Sequence, residues 1–422
     1  MSSETTTANP PGAAAPRPVY AKTAENRGAS RRLALRTSLL SSGLLALGNK
    51  AGFAHALPAL PANPRDERGL RPILAPQKIG ALLAPDENGL RLPPGFSSRI
   101  IARSSQPVSG TDYIWPAAPD GGGCFRAAHG GWIYVCNSEL PDGAGSVSAI
   151  AFDADGAIQR AYAICRHTSR NCVGGITPWG TWLSAEEVDR GRVFECDPTG
   201  KQAAVARHAL GWFDHEAIAY DTRNGYLYMT EDQHDGRFYR FRPTRKYDLS
   251  AGVLEVARKV GANAPWKIEW QPVPTPNPTA KGVRTRKQVS GSSAFNGGEG
   301  AWFHADVVYF TTKGDNRVWA LDTKTDLLSI VHEQNASKVD NIATSSSGEL
   351  YLAEDGGEMQ VLVLASHGQM APILQLVGHE GSEITGMAFS PDNTRLYFSS
   401  QRGSSNDAAA GVTFEVRGHF NR

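Results

Sequence analysis

The sequence predicts an all-β fold, a six-bladed β-propeller, on three observations. A short aromatic-centred strand recurs six times, a polar turn precedes it, and no stretch beyond the N-terminal region sustains a helical period. The copies centre on Tyr134, Trp182, Tyr228, Tyr309, Tyr351 and Tyr397, at spacings of 48, 46, 81, 42 and 46 residues. Spacings in the forties match a four-stranded propeller blade. The long interval contains residues 263–292, rich in Pro, Lys, Arg and Thr, which reads as a loop insertion on one blade.

The elements follow in chain order. Residues 1–29 are polar, without periodicity, and read as disordered. Arg31-Arg32 then precede an apolar stretch to about Phe53 and the small-x-small site Ala54-His55-Ala56. A basic pair, a modest apolar core and such a site make 1–56 a disordered n-region plus signal peptide, and the paired arginines resemble the twin-arginine export signal. Asn49-Lys50 interrupt the apolar run, which is too short and too polar for a membrane span, so no stable membrane insertion is expected. Residues 57–92 read as a linker and 93–422 as the propeller, with a strand near 95–103 closing the ring. In each unit an apolar strand, a turn and the aromatic strand follow one another. Ala217–Tyr220 before Asn224-Gly225 and Met387–Ser390 before Pro391-Asp392-Asn393 are hairpin signals of this kind.

Net charge is +1, with 43 Lys and Arg against 42 Asp and Glu. That balance argues against a nucleic-acid partner, which requires a concentrated basic surplus. It also hides a local pattern. After the aromatic strand the units read Asn137-Ser138-Glu139, Ala185-Glu186-Glu187, Thr230-Glu231-Asp232, Lys313-Gly314-Asp315, Ala353-Glu354-Asp355 and Ser400-Gln401-Arg402. Acids also stand at the start of the preceding strand, as Asp120, Glu216, Glu299 and Asp340-Asn341. The same point of each repeat lies at the same height around a propeller channel, so these acids converge. Converging carboxylates lose hydration and repel, and cations offset both; an oxygen-only cluster suits Ca²⁺. Turn formation by Asp, Asn and Gly explains any one acid but poorly explains five of six units. Cys172, in Asn171-Cys172-Val173-Gly174-Gly175, suits iron or zinc, with a Cys165–Cys172 disulfide as the alternative. The cysteine count of five is odd, so at least one is unpaired with another cysteine of the chain. His215 stands as a phosphate contact or a structural hydrogen-bonder. Lys313 and Arg402 are bases in an acidic ring, placed to meet an anionic substrate or to offset the acids.

On the stretches Asn171–Glu187 (NCVGGITPWGTWLSAEE), Ala209–Glu216 (ALGWFDHE), Tyr228–Asp232 (YMTED), Tyr309–Asp315 (YFTTKGD), Asp340-Asn341 and Tyr351–Gly356 (YLAEDG), the sequence resembles the PhoX-type alkaline phosphatases. The resemblance implies a six-bladed propeller, twin-arginine export to the periplasm or exterior, and a channel holding iron (Fe³⁺) and calcium (Ca²⁺). It places the family's iron-bridging cysteine at Cys172. It places metal-binding acids at Glu187, Glu216, Glu299 and Glu354, and further ones at Glu186, Glu231, Asp232, Asp340 and Asp355. Asp315 and Asn341 join the candidate ligands on their position in the repeat. Where the family has Arg-Pro-Glu this chain has Gly297-Gly298-Glu299, so the acid is kept and a phosphate-binding arginine is not. The function expected is therefore a metal-dependent hydrolase of small-molecule phosphate esters. A calcium-dependent lactonase-type hydrolase and a non-catalytic secreted calcium-binding propeller are the alternatives.

Overall fold

A computed structural model describes residues 80–333, 338–364 and 370–420. The signal region with Arg31 and Arg32, and residues 57–79 of the linker, lie outside the described residues. Within them no helix is long and apolar enough to cross a membrane.

The chain runs through antiparallel meanders. Two strands come first, β1 (Leu90–Arg91) and β2 (Ser97–Arg103). The first meander is β3 (Pro119–Arg126), β4 (Trp132–Ser138), β5 (Gly145–Phe152) and β6 (Ile158–Thr168). The second is β7 (Asn171–Ile176), β8 (Trp182–Glu186), β9 (Val193–Cys196) and β10 (Val205–Ala206). The third is β11 (His215–Tyr220), β12 (Leu227–Glu231), β13 (Phe238–Arg245) and β14 (Asp248–Val260), followed by β15 (Trp266–Pro272). The fourth is β16 (Gly298–His304), β17 (Val307–Thr312), β18 (Arg317–Asp322) and β19 (Leu327–Glu333). The fifth is β20 (Val339–Thr344), β21 (Leu350–Glu354), β22 (Gln360–Leu364) and β23 (Met370–Leu376), with β1 added at its edge. The last is β24 (Ile384–Phe389), β25 (Arg395–Ser400) and β26 (Val412–Arg417). Strand β2 pairs with β26 from Ser97↔Arg417 to Arg103↔Val412, so the start of the chain supplies the outer strand of the last sheet, as the sequence suggests.

The hairpin turns carry the residues expected of them. Between β11 and β12, Asp221 Oδ1 accepts the Arg223 N–H at 2.8 Å and Gly225 takes φ 82°. Between β24 and β25, Asp392 Oδ1 accepts the Thr394 N–H and Asn393 takes φ 56°.

The arrangement is propeller-like. Each innermost strand lies beside the next, β3 to β7 to β11 to β16 to β20 to β24 and back to β3, around a central channel. The repeated aromatics fill the gaps between neighbouring sheets. Tyr134, in the first sheet, stacks on Tyr397, in the last, with ring centroids 4.9 Å apart, and Trp132 Nε1 donates to the Tyr397 hydroxyl at 3.0 Å. Burial of large apolar rings here ties the two ends of the ring together.

The sheets number five among the described residues rather than six separate ones. The third and fourth meanders join into one nine-stranded sheet, because β15 pairs with β14 on one side and β19 on the other. Strand β15 lies inside the expected 263–292 insertion. Its segment Trp266-Lys267-Ile268-Glu269-Trp270 alternates, with Ile268 buried and Lys267 and Glu269 exposed. That period of two marks a strand, and the Pro and basic residues downstream of it obscure the signal when the window is read as a whole.

A candidate metal centre in the channel

The channel end of each innermost strand is irregular in the same way. Pairing with the neighbouring strand slips between Pro119 and Gly122, Asn171 and Gly174, His215 and Ile218, Gly298 and Ala301, Val339 and Ile342, and Thr385 and Ala388. A bulge re-aims the side chains it carries. In all six strands the second residue lines one cavity: Asp120, Cys172, Glu216, Glu299, Asp340 and Thr385. Glycines let the bulges crowd together. A Cβ on Gly121 would lie 2.4 Å from Val173 Cα, and one on Gly300 would lie 2.6 Å from Ile342 N.

Three of the bulges are also clasped from the unit before them. Asn137 Nδ2 donates to the carbonyl of Cys172 at 2.8 Å, Thr230 Oγ1 to that of Glu299, and Thr311 Oγ1 to that of Asp340. Buried hydroxyl and amide donors thus fix the backbone that presents the ring.

A second tier comes from the residues just past the aromatic strands. Glu139, Glu187, Asp232, Lys313 and Asp355 each follow directly on strands β4, β8, β12, β17 and β21, and Arg402 stands two residues past β25. All six line the same cavity of about 310 Å³, together with Arg170, Asn341 and Glu383.

The site is strongly acidic, with nine carboxyl groups facing Arg170, Lys313 and Arg402. Three trios have ligand atoms within 4.8 Å of one another: Cys172, Glu187 and Glu216; Glu216, Glu299 and Asp340; and Asp340, Asp355 and Glu383. Glu216 and Asp340 are each shared, so the trios form a chain across the channel. Cys172 Sγ donates to Glu216 Oε1 at 3.1 Å, while Glu216 Oε2 is buried without a hydrogen-bond partner.

Burial raises the carboxyls of Asp120, Glu216 and Glu299 well above the ordinary carboxylate range, and their like-charged neighbours raise them further. Burial, helped by Glu139 and Asp232, pushes Glu187 up to about 9. Glu383 reaches about 7 for the same main reason, with Asp340 adding to it and Arg402 opposing. Burial alone would depress Lys313, but Glu299, Asp340 and Asp232 outweigh it and hold the ammonium far above its usual value. An orphaned buried carboxylate oxygen, a carboxyl-rich ring and one thiol are a donor set for hard cations plus a softer metal. The residues present fit iron and calcium.

The structure therefore gathers Cys172, Glu187, Glu216, Asp232, Glu299, Asp340, Asn341, Asp355, Lys313 and Arg402 around the cavity and places five other candidates elsewhere. Successive strand residues face opposite ways, so Glu186, Glu231 and Glu354 turn away from the channel that their neighbours face. Glu186 accepts the Ser169 and Arg192 N–H groups at 3.0 Å and pairs with the Arg192 side chain. Glu231 accepts the Arg237 N–H, the Tyr239 hydroxyl and Arg286. Glu354 accepts the Gln360 N–H at 3.0 Å. All three close the turn into the next strand. Asp315 is bound to Thr312 and Arg317. His215 is wholly buried, its Nε2 against the carbonyl of Gly211 at 3.1 Å and its ring 3.6 Å from that of Phe213. Burial pushes its pKa down to about 3 and keeps it neutral.

The five cysteines are free. Cys165 lies with Cys196 in the apolar layer between the first and second sheets, whereas Cys172 faces the channel, so the two are not bridged.

Asp120 and Glu139 belong to the cavity although the candidate ligand set omits them. Arg170, Glu383 and Thr385 are additional. Register alone identifies most of these: Thr385 stands where Asp120 and Glu216 stand in their units, and Glu383 and Arg170 stand two residues before the ring position.

A sequence profile of the family described as Alkaline phosphatase PhoX matches residues 155–193 and 188–337. Among curated proteins no relative matches the sequence. The fold is similar to that of Pseudomonas fluorescens PhoX solved with vanadate, at 16% identity and a TM-score of 0.63, over 82% of this chain and 98% of that one. It also overlays a gluconolactonase from Xanthomonas campestris (12% identity, TM-score 0.44, 81% and 98% covered). A Staphylococcus aureus virginiamycin B lyase matches at 14% identity and a TM-score of 0.42, with 76% and 99% covered.

Proposed function

Because the chain belongs to the PhoX family of alkaline phosphatases, we propose that it is a metal-dependent hydrolase of small-molecule phosphate esters, with its reaction in the channel cavity. The observation that carries this reading is the bulged ring, in which six innermost strands aim their second residues into one acidic cavity. We read the nine-stranded sheet as two blades fused through β15, which makes six blades around the channel.

Cys172, Glu187, Glu216, Glu299, Asp340, Asp355 and Glu383 are the proposed metal-holding residues, with iron toward Cys172 and calcium toward the all-oxygen trios. Bound there, the cations supply neutralisation of the ester's charge and activation of water. The chain's own groups do the rest. Lys313 Nζ lies 2.7 Å from Glu299 and 3.5 Å from Asp232, so it fixes both carboxylates against each other's repulsion. Arg402 donates to Glu383, Gln401 and Asn406, which locks its fork at the edge of the cavity. Asn341 accepts the Gly386 N–H at 3.0 Å and donates to Asp340 at 2.7 Å, joining two bulges of the ring. Water attacks phosphorus, the ester P–O bond breaks, and the leaving alcohol takes up a proton; no side-chain nucleophile is required. Twin-arginine export of the metal-loaded protein is part of the proposal.

The test is phosphomonoester hydrolysis by protein purified after native export, before and after chelation. Activity that chelation removes and iron plus calcium restores supports the reading. Turnover of lactones alone points to a lactonase-type enzyme. A metal-loaded protein inactive on phosphate esters and lactones points to a binding propeller.

A further inference from the structure

The three bases of the cavity are not equally available. Lys313 is engaged by two carboxylates of the ring, and Arg402 uses Nη1 on Glu383 and Gln401 and Nε on Asn406. Arg170 is different. Its Nη1 donates to Glu139 Oε1 at 3.0 Å, no other side-chain hydrogen bond of its guanidinium is found among the described residues, and the side chain is 49% exposed at the cavity. It is the base with the most donors to spare: Nε and Nη2 remain, against Nη2 alone on Arg402.

Its backbone explains how it is aimed. Arg170 stands two residues before Cys172 and takes φ 45°, a left-handed conformation that is strained for a non-glycine residue. Two hydrogen bonds hold it there: its N–H donates to the carbonyl of Leu140, and its own carbonyl accepts the Glu187 N–H, each at 2.8 Å. The fourth unit repeats this detail. Gly297 stands two residues before Glu299, takes φ 66°, and its carbonyl accepts the Lys313 N–H at 2.8 Å. Arg170 and Gly297 therefore occupy one register in two units. At Gly297 the register carries no side chain; at Arg170 it carries a guanidinium.

We propose that Arg170 is the phosphate-binding arginine of this protein, reaching from the register that Gly297 leaves bare to bridge two oxygens of the ester. This rests on the phosphatase reading above. The planar fork fits two phosphate oxygens side by side, whereas an ammonium meets them as a point charge.

The experiment uses the exported, metal-loaded protein, with inorganic phosphate as the probe in calorimetric titration and a phosphomonoester for kinetics. Arg170→Gly removes the fork and suits the left-handed backbone, so folding and metal content should hold. Phosphate binding should weaken about ten- to a hundredfold, with KM rising more than kcat falls, and Arg170→Lys should recover part of the loss. Wild-type turnover of phosphate esters with phosphate affinity in Arg170→Gly within twofold of wild type overturns the inference and leaves the phosphatase reading standing. Loss of metal from Arg170→Gly also overturns it, because Arg170 would then serve the ring through Glu139 and Glu187. A wild-type protein that neither binds phosphate nor hydrolyses its esters removes the reading beneath it, and the inference with it.

Discussion

Glu186 and Glu187 are adjacent carboxylates with different work, and substitution should separate them. Glu187 faces the cavity; Glu187→Gln and Glu216→Gln keep the shape and remove a proposed ligand charge. Each should lower thermal stability when metal is present and change little after chelation, since ligand at a hundred times its dissociation constant stabilises the native state by about 2.7 kcal/mol. Glu186→Gln weakens charge-assisted bonds to Arg192 and should cost about 1–3 kcal/mol whether or not metal is bound. Thermal melts with and without chelator check both. The acid pairs were visible in the sequence as pairs, but strand alternation, applied to them, selects only the second member of Glu186-Glu187, Glu231-Asp232 and Glu354-Asp355. What composition and spacing do not convey is the bulge, because the slip in pairing depends on backbone geometry. Asp120 is aimed into the cavity by that slip. His215 beside Glu216 looked available for a substrate, yet the alternation that aims Glu216 inward sends the imidazole into the packing around Phe213.

At the level of the element, the bulged ends of the innermost strands are the proposed functional unit, and glycines make them possible. Gly174, at φ 139°, would place a Cβ 1.8 Å from the carbonyl oxygen of Leu183. Gly174→Ala should therefore disrupt the β7–β8 pairing, lower the melting temperature and release the metal proposed to sit near Cys172, as melting and elemental analysis on one sample will show. Gly297→Arg is a gentler case. A Cβ there lies 3.3 Å from Asp232 Oδ1 and 3.3 Å from the Gly314 N, and φ is 66°. The left-handed backbone should cost about 1 kcal/mol of stability. Because Arg170 is proposed to bind the phosphate, Gly297→Arg should add little to the wild type but recover part of the phosphate affinity in an Arg170→Gly background. Equal gains in both backgrounds would show that the two positions act independently. The hairpins were the most readable elements, since turn residues and aromatic centres share a local signal. Strand β15 was hidden because its alternation is short and its neighbours are rich in Pro and basic residues.

For the whole molecule, the ring of raised carboxyls makes stability depend on pH in a way that bound metal should remove. Glu383 and Glu187, raised from about 4.5 to about 7 and about 9, bind protons more tightly in the folded state than in the unfolded one. The folded chain is favoured by this fully below the unfolded value, and the contribution fades as pH rises through 7 and 9. Metal-free protein should thus melt at progressively lower temperature between pH 5 and 9, while metal-loaded protein should not, because cations replace the protons. The same profile with and without metal would mean that the acids serve the fold alone. Export is tested separately: Arg31→Lys with Arg32→Lys should leave precursor in the cytoplasm, and normal export of that variant would favour an ordinary secretory signal. The ring's closure was foreseeable from six repeats and a spare strand near 95–103, whereas the fusion of two meanders was not, because it depends on where β15 lands. Whether the channel is a metal centre is decided by elemental analysis of natively exported wild-type protein. Iron and calcium should be bound in stoichiometric amounts, with the iron lost in Cys172→Ser and calcium largely retained. Protein that folds and melts cooperatively with neither metal bound would contradict the metal-centre reading.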